Sequence, residues 1–297
     1  MRIGVDLGGS KIEVAAFDGL SELVRRRIAT PQGDYMGTVM AVAGLIEIIE
    51  NELGQRGTVG IGIPGTESAQ SGLIKNANST CLIGKPLKRD LQTVLQREVR
   101  LANDANCFAL SEAIDGAGQG AETVFGVILG TGVGGGIVVH EQVLTGANGI
   151  AGEWGHNALP TPTAAEQPGP ACYCGRSGCV ETWLSGPGMQ RDHAAIAGET
   201  ADPASIVARA VAGDVACTAT LERYEERLAR ALAVVVNILD PQVIVLGGGL
   251  SNINRLYDNV PHLWQPYVFS DHIATRLLKH HHGDSSGVRG AAWLWGE

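Results

Sequence analysis

Residues 152–181 constrain this chain more than any other part of its sequence. They contain one histidine and three cysteines: His156, Cys172, Cys174 and Cys179. One imidazole and three thiols in so short a segment form the Cys3His ligand set of a closed, tetrahedral zinc site. Glu153 precedes the histidine by three residues, and Glu181 follows the last cysteine by two. The segment therefore predicts a structural metal that holds two acidic side chains in a fixed relation.

Disulfide bonds are the alternative use of the six cysteines. Three of the six cluster within residues 172–179, whereas Cys81, Cys107 and Cys217 stand apart in strand-like or helical surroundings. In a reducing compartment, clustered cysteines more often bind metal and isolated ones pack in the core. We therefore predict zinc for the cluster and packing for the other three.

Length and charge narrow the class of protein. A chain of 297 residues is long enough for two domains. The net charge of −9, without a Lys/Arg-rich run, argues against a nucleic-acid or anionic-membrane partner. The longest apolar runs are too short to cross a bilayer. The first residues read as a strand and not as a signal peptide, so we expect a cytoplasmic protein.

Short apolar strands alternate with amphipathic helices, which predicts α/β architecture. The predicted strands are residues 2–7, 12–17, 23–28, 59–63, 99–102, 124–129, 137–140 and 243–246, and the predicted helices are 35–53, 86–99, 104–114 and 221–239. A strand, a glycine turn and a second strand occur near residue 5 and again near residue 128. This repeat predicts two related halves with a cleft between them.

Three glycine-rich turns directly follow apolar strands, at residues 8–10, 130–136 and 247–249. Glycine allows close backbone approach, so such turns can direct N–H groups at phosphate oxygens. Residues 4–11 fail as a P-loop because Ser10 and Lys11 are in the wrong order and a strand follows. The dinucleotide motif G-x-G-x-x-G also fails, because no clear helix follows it. Each glycine could simply make a tight turn, but the three together favour a nucleotide tail, with Asp6 facing phosphate-bound Mg²⁺.

Five motifs occur in order along the chain: VDLGGSK at 5–11, NDAN at 103–106, GTGVGGG at 130–136, GEWGH at 152–156 and CYCGRSGC at 172–179. Taken together, they make the chain resemble the ROK-family sugar kinases over essentially its whole length. Within that family, residues 75–80, 155–157 and 282–295 are most similar to bacterial fructokinases of the manno(fructo)kinase type. The resemblance implies ATP-dependent phosphorylation of a hexose, D-fructose to fructose 6-phosphate first and mannose second.

The resemblance also implies a fold and a set of ligands. The expected fold is α/β and two-lobed, actin/hexokinase-like (ribonuclease H-like), with a cleft and a zinc-bound loop. The N-terminal lobe would comprise residues 1–115 and a C-terminal helix at 286–297 that packs back on it, and the C-terminal lobe residues 116–285. ATP, Mg²⁺ and a structural Zn²⁺ are the expected cofactors, and the chain is expected to form a homodimer.

The predicted site residues fall into four groups. Asp104 is the general base. The sugar contacts are Asn78, Asn103, Asp104, Glu153, His156 and Glu181. The ATP and phosphate contacts are Asp6, Gly8, Gly9, Ser10, Lys11, Gly130, Thr131, Gly132, Gly247, Gly248 and Gly249. The metal ligands are His156, Cys172, Cys174 and Cys179.

Two of these assignments also have a physical argument. Asp104 stands where a short strand ends and a helix begins, and a helix N-terminus favours negative charge; the alternative is that Asp104 only caps the helix. His156 could bind zinc through one ring nitrogen and a sugar hydroxyl through the other, so that the metal fixes its tautomer.

Other functions remain open at this point. A kinase for glucose, N-acetylglucosamine or N-acetylmannosamine differs only in pocket shape. A sugar-sensing repressor would need a helix-turn-helix ahead of the first glycine turn, and the sequence shows Gly4 already at that position. A catalytically silent sugar-binding protein is disfavoured by the retained Asp104.

Overall fold

The computed structural model describes residues 1–77 and 80–296. Contacts between Cα atoms divide the chain into two compact units. The first comprises Met1–Glu122, Gly136–Ala151 and His281–Glu297, and the second Thr123–Gly135 and Gly152–His280. The predicted lobes remain a proposal; the compact units differ from them in residues 116–122, 136–151 and 281–285, which belong to the first unit.

Twelve strands and nine α-helices are found in the described part of the chain. Through residue 143 they are β1 (Arg2–Leu7), β2 (Lys11–Asp18), β3 (Ser21–Ala29), α1 (Tyr35–Leu53), β4 (Thr58–Ile63), β5 (Thr66–Glu67), β6 (Ile74–Lys75), α2 (Leu87–Leu95), β7 (Val99–Asn103), α3 (Asp104–Ile114), β8 (Thr123–Leu129), β9 (Val133–Val139) and β10 (Gln142–Val143). The remaining ones are α4 (Val180–Leu184), α5 (Gly186–Ala197), α6 (Pro203–Val211), α7 (Val215–Leu239), β11 (Val243–Gly247), α8 (Arg255–Leu263), β12 (Arg276–Lys279) and α9 (Ser286–Trp293).

Two five-stranded sheets have the same succession of strands. The first has the order β3-β2-β1-β4-β7 and the second β10-β9-β8-β11-β12. In the first, β1, β2 and β3 pair antiparallel and β1, β4 and β7 run parallel. In the second, β11 pairs parallel with both β8 and β12. The shared order confirms the predicted α/β architecture and the repeat of a strand, a turn and a strand.

Local sequence explains where the elements end. Asp34 caps α1 by accepting a hydrogen bond from Gly37 N, and Gly54 ends the helix with a φ of 62°, as helix termini prefer. The predicted helix at 86–99 extends too far, because α2 ends at Leu95 with Gln96 as its C-cap; the strand predicted from Val99 is confirmed as β7. The C-terminal helix also ends earlier than predicted, at Trp293.

The C-terminal helix α9 packs backbone to backbone against the first sheet and α3. Gly4 and Gly60 are neighbours across β1 and β4, and a Cβ on Gly60 would lie 1.8 Å from the carbonyl oxygen of Ala291. A Cβ on Gly290 would lie 1.7 Å from the carbonyl oxygen of Cys107. Only glycine fits at such distances, so these residues let α9 lie directly on its neighbours.

A buried carboxylate holds the segment that leads into α9. Glu112, on α3, is fully buried. It accepts hydrogen bonds from the backbone N–H groups of His281 and His282, at 2.9 and 3.2 Å, and from the Ser286 hydroxyl at 2.8 Å. Because an unpaired buried carboxylate would be costly, these bonds tie the return of the chain to α3.

By length and composition, no helix in residues 1–77 or 80–296 could span a membrane alone. The pair α6 and α7 meets that test only when taken together, and the two helices are bent by 116° at their junction.

Replacing Gly290 with alanine should destabilise the protein by at least about 2 kcal/mol, because overpacking of this kind forces the backbone to move. Urea unfolding measures the effect. Gly44→Ala is the matched control: Gly44 lies within α1, and nothing would touch its new Cβ within 4 Å. That variant should gain about 0.5–1 kcal/mol from helix propensity. Equal stabilities for the two variants would contradict the close packing of α9.

Candidate active site

The first unit holds the first glycine turn, between β1 and β2. The turn closes through a hydrogen bond from Gly8 N to the Lys11 carbonyl at 2.9 Å. Two residues that follow β3 donate hydrogen bonds to carbonyls of the turn. Thr30 Oγ1 donates to the Gly8 carbonyl at 2.8 Å, and Gln32 Nε2 donates to the Gly9 carbonyl at 2.6 Å. With its carbonyls bonded in this way and Gly9 and Ser10 exposed, the turn is a preorganised loop of the kind that binds anions.

Two predicted site carboxylates influence each other at the carboxyl edge of this sheet. Asp6 is near the end of β1, and Asp104 directly follows β7. Desolvation, followed by the negative charges of Asp104 and Glu13, raises the pKa of Asp6 from 3.8 to about 6; Lys11 and Arg27 act in the opposite direction. A divalent cation at this edge would relieve the repulsion, which fits the predicted role of Asp6 toward Mg²⁺.

Asn103, and not Asp104, caps helix α3. Its Oδ1 accepts a hydrogen bond from Ala105 N at 2.9 Å, and its Nδ2 donates to the Gly65 carbonyl at 3.2 Å. Asp104 is the first residue of the helix, is exposed, and also accepts from Ala105 N, at 2.8 Å. The capping alternative therefore applies to Asn103, and the Asp104 carboxylate is presented at the positive end of the helix. Asn78, the remaining predicted sugar contact of this region, lies outside the described residues.

The second unit holds the second glycine turn, which is shorter than predicted. Gly130 N bonds the Gly132 carbonyl at 3.0 Å, and β9 begins at Val133. The predicted turn at 130–136 and the predicted strand at 137–140 are therefore corrected: Gly134 to Gly136 are strand residues. Glycine is required at position 135 of this strand, because a Cβ there would lie 2.7 Å from the Gly152 carbonyl and from the Trp154 ring.

The third predicted turn lies beside the second. Gly247 ends β11, and Gly248 has a φ of 79°. A Cβ on Gly248 would be 2.5 Å from the Leu129 carbonyl oxygen at the end of β8. Glycine is thus required both for the backbone conformation and for the close approach.

A cavity of about 830 Å³ opens between these turns and two helices of the second unit. Gly130, Thr131 and Gly249 line it, as do residues from the beginnings of α5 and α6. The sequence reasoning missed the helical residues, among them Pro187, Gln190, Pro203 and Val207. A signal was available, because Ser185 and Asp202 are N-caps followed by proline in the first turn. The volume suits a ligand of nucleotide size.

The four predicted metal ligands converge in the second unit. Their ligand atoms all lie within 4.8 Å of one another. His156 Nδ1 is 3.6 Å from Cys172 Sγ, and Cys174 Sγ is 3.6 Å from Cys179 Sγ. Around a tetrahedral zinc, these N–S and S–S separations would be about 3.6 and 3.8 Å. The four residues therefore fit the metal, which would supply only a structural cross-link here.

Two of the predicted ligand cysteines, Cys174 and Cys179, differ in the pKa of their thiols. Hydrogen bonds from Arg176 lower the pKa of Cys174 to about 6. Burial raises the pKa of Cys179 to about 12. A bound dication would favour the thiolate form of both cysteines, so metal binding would release the thiol proton of Cys179 despite its burial.

The second ring nitrogen of His156 faces a tyrosine. His156 Nε2 lies 2.9 Å from the Tyr173 hydroxyl, so Nδ1 is left for the metal. Desolvation, together with the charges of Glu181, Cys172 and Glu153, raises the pKa of Tyr173 to about 12. Tyr173 thus belongs to the polar group formed by Glu153, His156 and Glu181. Sequence reasoning missed it, although an aromatic residue between two ligand cysteines was a visible signal.

Glu181 reaches the second glycine turn. Its Oε2 accepts a hydrogen bond from Val133 N at 2.9 Å. Glu153 is exposed at the start of the short 3₁₀ helix Trp154–His156. The predicted sugar contacts of both residues remain proposals, and Glu181 has a second role that its sequence position did not indicate.

Comparison with known proteins gives one consistent family. The sequence model of the ROK family matches residues 2–297. N-acetyl-D-glucosamine kinases from Vibrio cholerae and Yersinia pseudotuberculosis are 42% and 40% identical over 299 aligned residues; these cover 99% of this chain, and 99% and 98% of those proteins.

Solved structures agree with this assignment. The ROK hexokinase from Thermus thermophilus has a TM-score of 0.88 at 33% identity, covering 99% of this chain and 97% of that one. A ROK glucokinase from Streptomyces griseus, in complex with glucose and AMPPNP, has a TM-score of 0.76 at 27% identity, with 99% and 98% covered. The predicted two-lobed actin/hexokinase-like fold is confirmed.

Asp6→Asn should stabilise the protein at pH 8 by about 1–3 kcal/mol, since one pKa unit corresponds to about 1.4 kcal/mol. Because the folded pKa is raised, the wild type gains stability as pH falls from about 6 toward 4, and the variant should lack this gain. Urea unfolding across pH measures it. Asp18→Asn, at the exposed end of β2, should change little. A destabilised Asp6→Asn would be inconsistent with this electrostatic account.

Purified protein should contain about one zinc per chain by elemental analysis. Chelation should lower the melting temperature by about 5 °C or more, because metal binding contributes to folding. Cys174→Ser should lose the metal, and Cys81→Ser, a matched change outside the ligand set, should keep it. Zinc retained by the first variant, or absent from the wild type, would overturn the ligand assignment.

Proposed function

This chain belongs to the ROK family, and we propose that it is an ATP-dependent hexose kinase. The observation that carries the proposal is the pair Asp6 and Asp104 at one edge of the first sheet, beside the glycine turn at 8–11. Phosphoryl transfer depends on positioning and on neutralising charge. A metal-facing carboxylate and a second, exposed carboxylate near preorganised N–H groups supply those two elements.

In the proposed reaction, MgATP and the hexose are the substrates. A sugar hydroxyl oxygen forms a bond to the γ-phosphorus, and the bond from that phosphorus to the β–γ bridging oxygen breaks, releasing ADP. Asp104 accepts the hydroxyl proton as general base. Its place on α3, held by the Asn103 cap, keeps the carboxylate exposed for this proton.

The remaining predicted residues take supporting roles in the proposal. The first turn, with Ser10 and Lys11, and the second, with Thr131, bind the phosphates. The turn at 247–249 and the cavity of about 830 Å³ accept the rest of the nucleotide. Asn103, Glu153, His156 and Glu181 contact the sugar, as does Asn78 by its sequence position, because amide and carboxylate groups pair well with hydroxyls.

We propose D-fructose as the sugar, with mannose as a second substrate. The support is the similarity of residues 75–80, 155–157 and 282–295 to fructokinases of the manno(fructo)kinase type. Fructose presents no acyl group, so no contact to an acetamido substituent is required. The predicted homodimer and cytoplasmic location also remain proposals.

N-acetyl-D-glucosamine is the second candidate substrate. It is favoured by relatives of that activity that are 40–42% identical over nearly the whole chain. Glucose has weaker support, from the glucokinase that is 27% identical. A non-enzymatic sugar sensor shares the fold, and the absence of turnover with every sugar would favour it.

A panel of ADP-release assays with fructose, mannose, glucose, N-acetylglucosamine and N-acetylmannosamine should give the highest kcat/KM for fructose. If N-acetylglucosamine exceeds fructose by tenfold or more, a factor of ten being about 1.4 kcal/mol in transition-state binding, the second candidate replaces the first.

Asp104→Asn should lower kcat by about 10²–10⁴-fold, the usual contribution of a general base, while the chain stays folded. Steady-state kinetics and circular dichroism measure both effects. Asp18→Asn serves as the matched control and should retain activity. Near-normal turnover of Asp104→Asn would remove this residue from the role of base.

A further inference from the structure

Two stretches that flank the metal ligands reach the second glycine turn. Residues 152–157 contain the ligand His156, and residues 179–186 begin with the ligand Cys179. Both stretches, the turn at 130–132 and the first residues of β9 belong to the second unit. The contacts between them therefore lie within one compact body.

From the first stretch, Trp154 binds the second residue of β9, just beyond the turn. Its Nε1 donates a hydrogen bond to the Gly134 carbonyl at 3.0 Å. The indole is 6% exposed and packs edge-on against Phe125 of β8, with 5.8 Å between ring centroids. A buried donor with a single carbonyl partner holds that carbonyl in place, since leaving the N–H unpaired would be unfavourable.

Next in sequence, Gly155 touches the turn through its backbone. A Cβ at this position would lie 2.3 Å from the Val133 carbonyl oxygen. No side chain fits between the stretch and β9, so the two backbones are in direct contact. Since His156 follows at once, the position of this contact depends on where the metal holds the histidine.

From the second stretch, Glu181 bonds the N–H of the same residue, Val133, at 2.9 Å. Its Oε2 would lie 2.7 Å from a Cβ on Gly132, so glycine leaves the space that the carboxylate occupies. Five residues further on, Gly186 N donates to the Gly130 carbonyl at 2.8 Å. The turn is thus held at both of its ends.

The metal ligands join the two stretches. His156 and Cys179 belong to one ligand set, and the backbone pairs Ala158 with Cys179 and bonds Val180 N to the Asn157 carbonyl at 2.8 Å. A metal bound by these ligands would fix the spacing of the two stretches, and with it the backbone of residues 130–134.

We propose that the metal loop, residues 152–181, acts as a clamp: with its metal bound, it holds the backbone of the second glycine turn in place. In this proposal, Trp154 and Glu181 are positioning residues for nucleotide phosphates. The functional part of this proposal, that Trp154 and Glu181 help to bind phosphates, rests on the proposed kinase activity. The structural part, that the metal orders residues 130–134, does not depend on that activity.

Hydrogen exchange tests the structural part without any nucleotide. After chelation of the metal, amides of residues 130–134 should exchange at least about tenfold faster, while those of β11 change less than about twofold, since local opening need not involve the core strand. Unchanged exchange at 130–134 would overturn the clamp. Equal acceleration in β11 would also overturn it, because that result means global loosening.

Trp154→Phe tests the functional part, because it removes one hydrogen bond and keeps an aromatic ring. Loss of one bond should raise the Kd for Mg-AMPPNP about 2- to 10-fold, with the fructose Kd changed less than twofold, both by calorimetry. Trp295→Phe is the matched control: it removes the bond from Trp295 Nε1 to the Val59 carbonyl in the first unit and should leave the Mg-AMPPNP Kd unchanged.

The possible results separate the two proposals. Weaker fructose binding with unchanged Mg-AMPPNP binding would show that Trp154 serves the sugar, and would overturn its role as a positioning residue for phosphates. Equal weakening by Trp154→Phe and Trp295→Phe would overturn it too. A wild type that binds neither ligand would refute the kinase proposal, and the exchange experiment would still decide whether the clamp exists.

Discussion

The side chains of His156, Cys172, Cys174 and Cys179 converge on one point. The arrangement of residues 152–181 in the second unit depends on this convergence. Residues 152–181 contain little regular structure besides short 3₁₀ turns, so they have few backbone ladders to hold them. A metal bound by these side chains would supply a cross-link in place of those ladders. Trp154, Gly155 and Glu181 connect the same stretch to the glycine turn between β8 and β9 and to the first residues of β9.

In the first unit, hydrogen bonds and close packing hold the glycine turn and the C-terminal helix. Its glycine turn is held by Thr30, directly after β3, and its C-terminal helix lies directly on strand backbones at Gly4 and Gly60. Buried Glu112 then fixes the chain where it enters α9. Hydrogen bonds and close packing thus hold these parts of the first unit, whereas residues 152–181 of the second unit bring four side chains together that could bind a metal.

Electrostatics distinguishes the two candidate carboxylates. Desolvation, followed by the negative charges of Asp104 and Glu13, raises the pKa of Asp6. Asp104 is exposed at the start of α3, where Asn103 is the N-cap and both side chains accept a hydrogen bond from Ala105 N. One carboxylate is therefore suited to a cation and the other to a proton, a division of roles produced by environment and not by residue type.

The sequence by itself determined the elements whose signals are local: the bounds of α1 and α3, the strand and turn repeat, and the grouping of His156 with Cys172, Cys174 and Cys179. It could not show that Gly134 to Gly136 belong to β9, that α2 ends at Leu95, or that Asn103 is the cap, because each outcome depends on what the neighbouring strand or turn requires. Only the tertiary structure decided the contact of Tyr173 with His156, the hydrogen bond of Glu181 to Val133, and the helical wall of the cavity beside Gly130 and Gly249. Those contacts join residues distant in sequence, and close packing and hydrogen-bond satisfaction, which no local pattern encodes, select them.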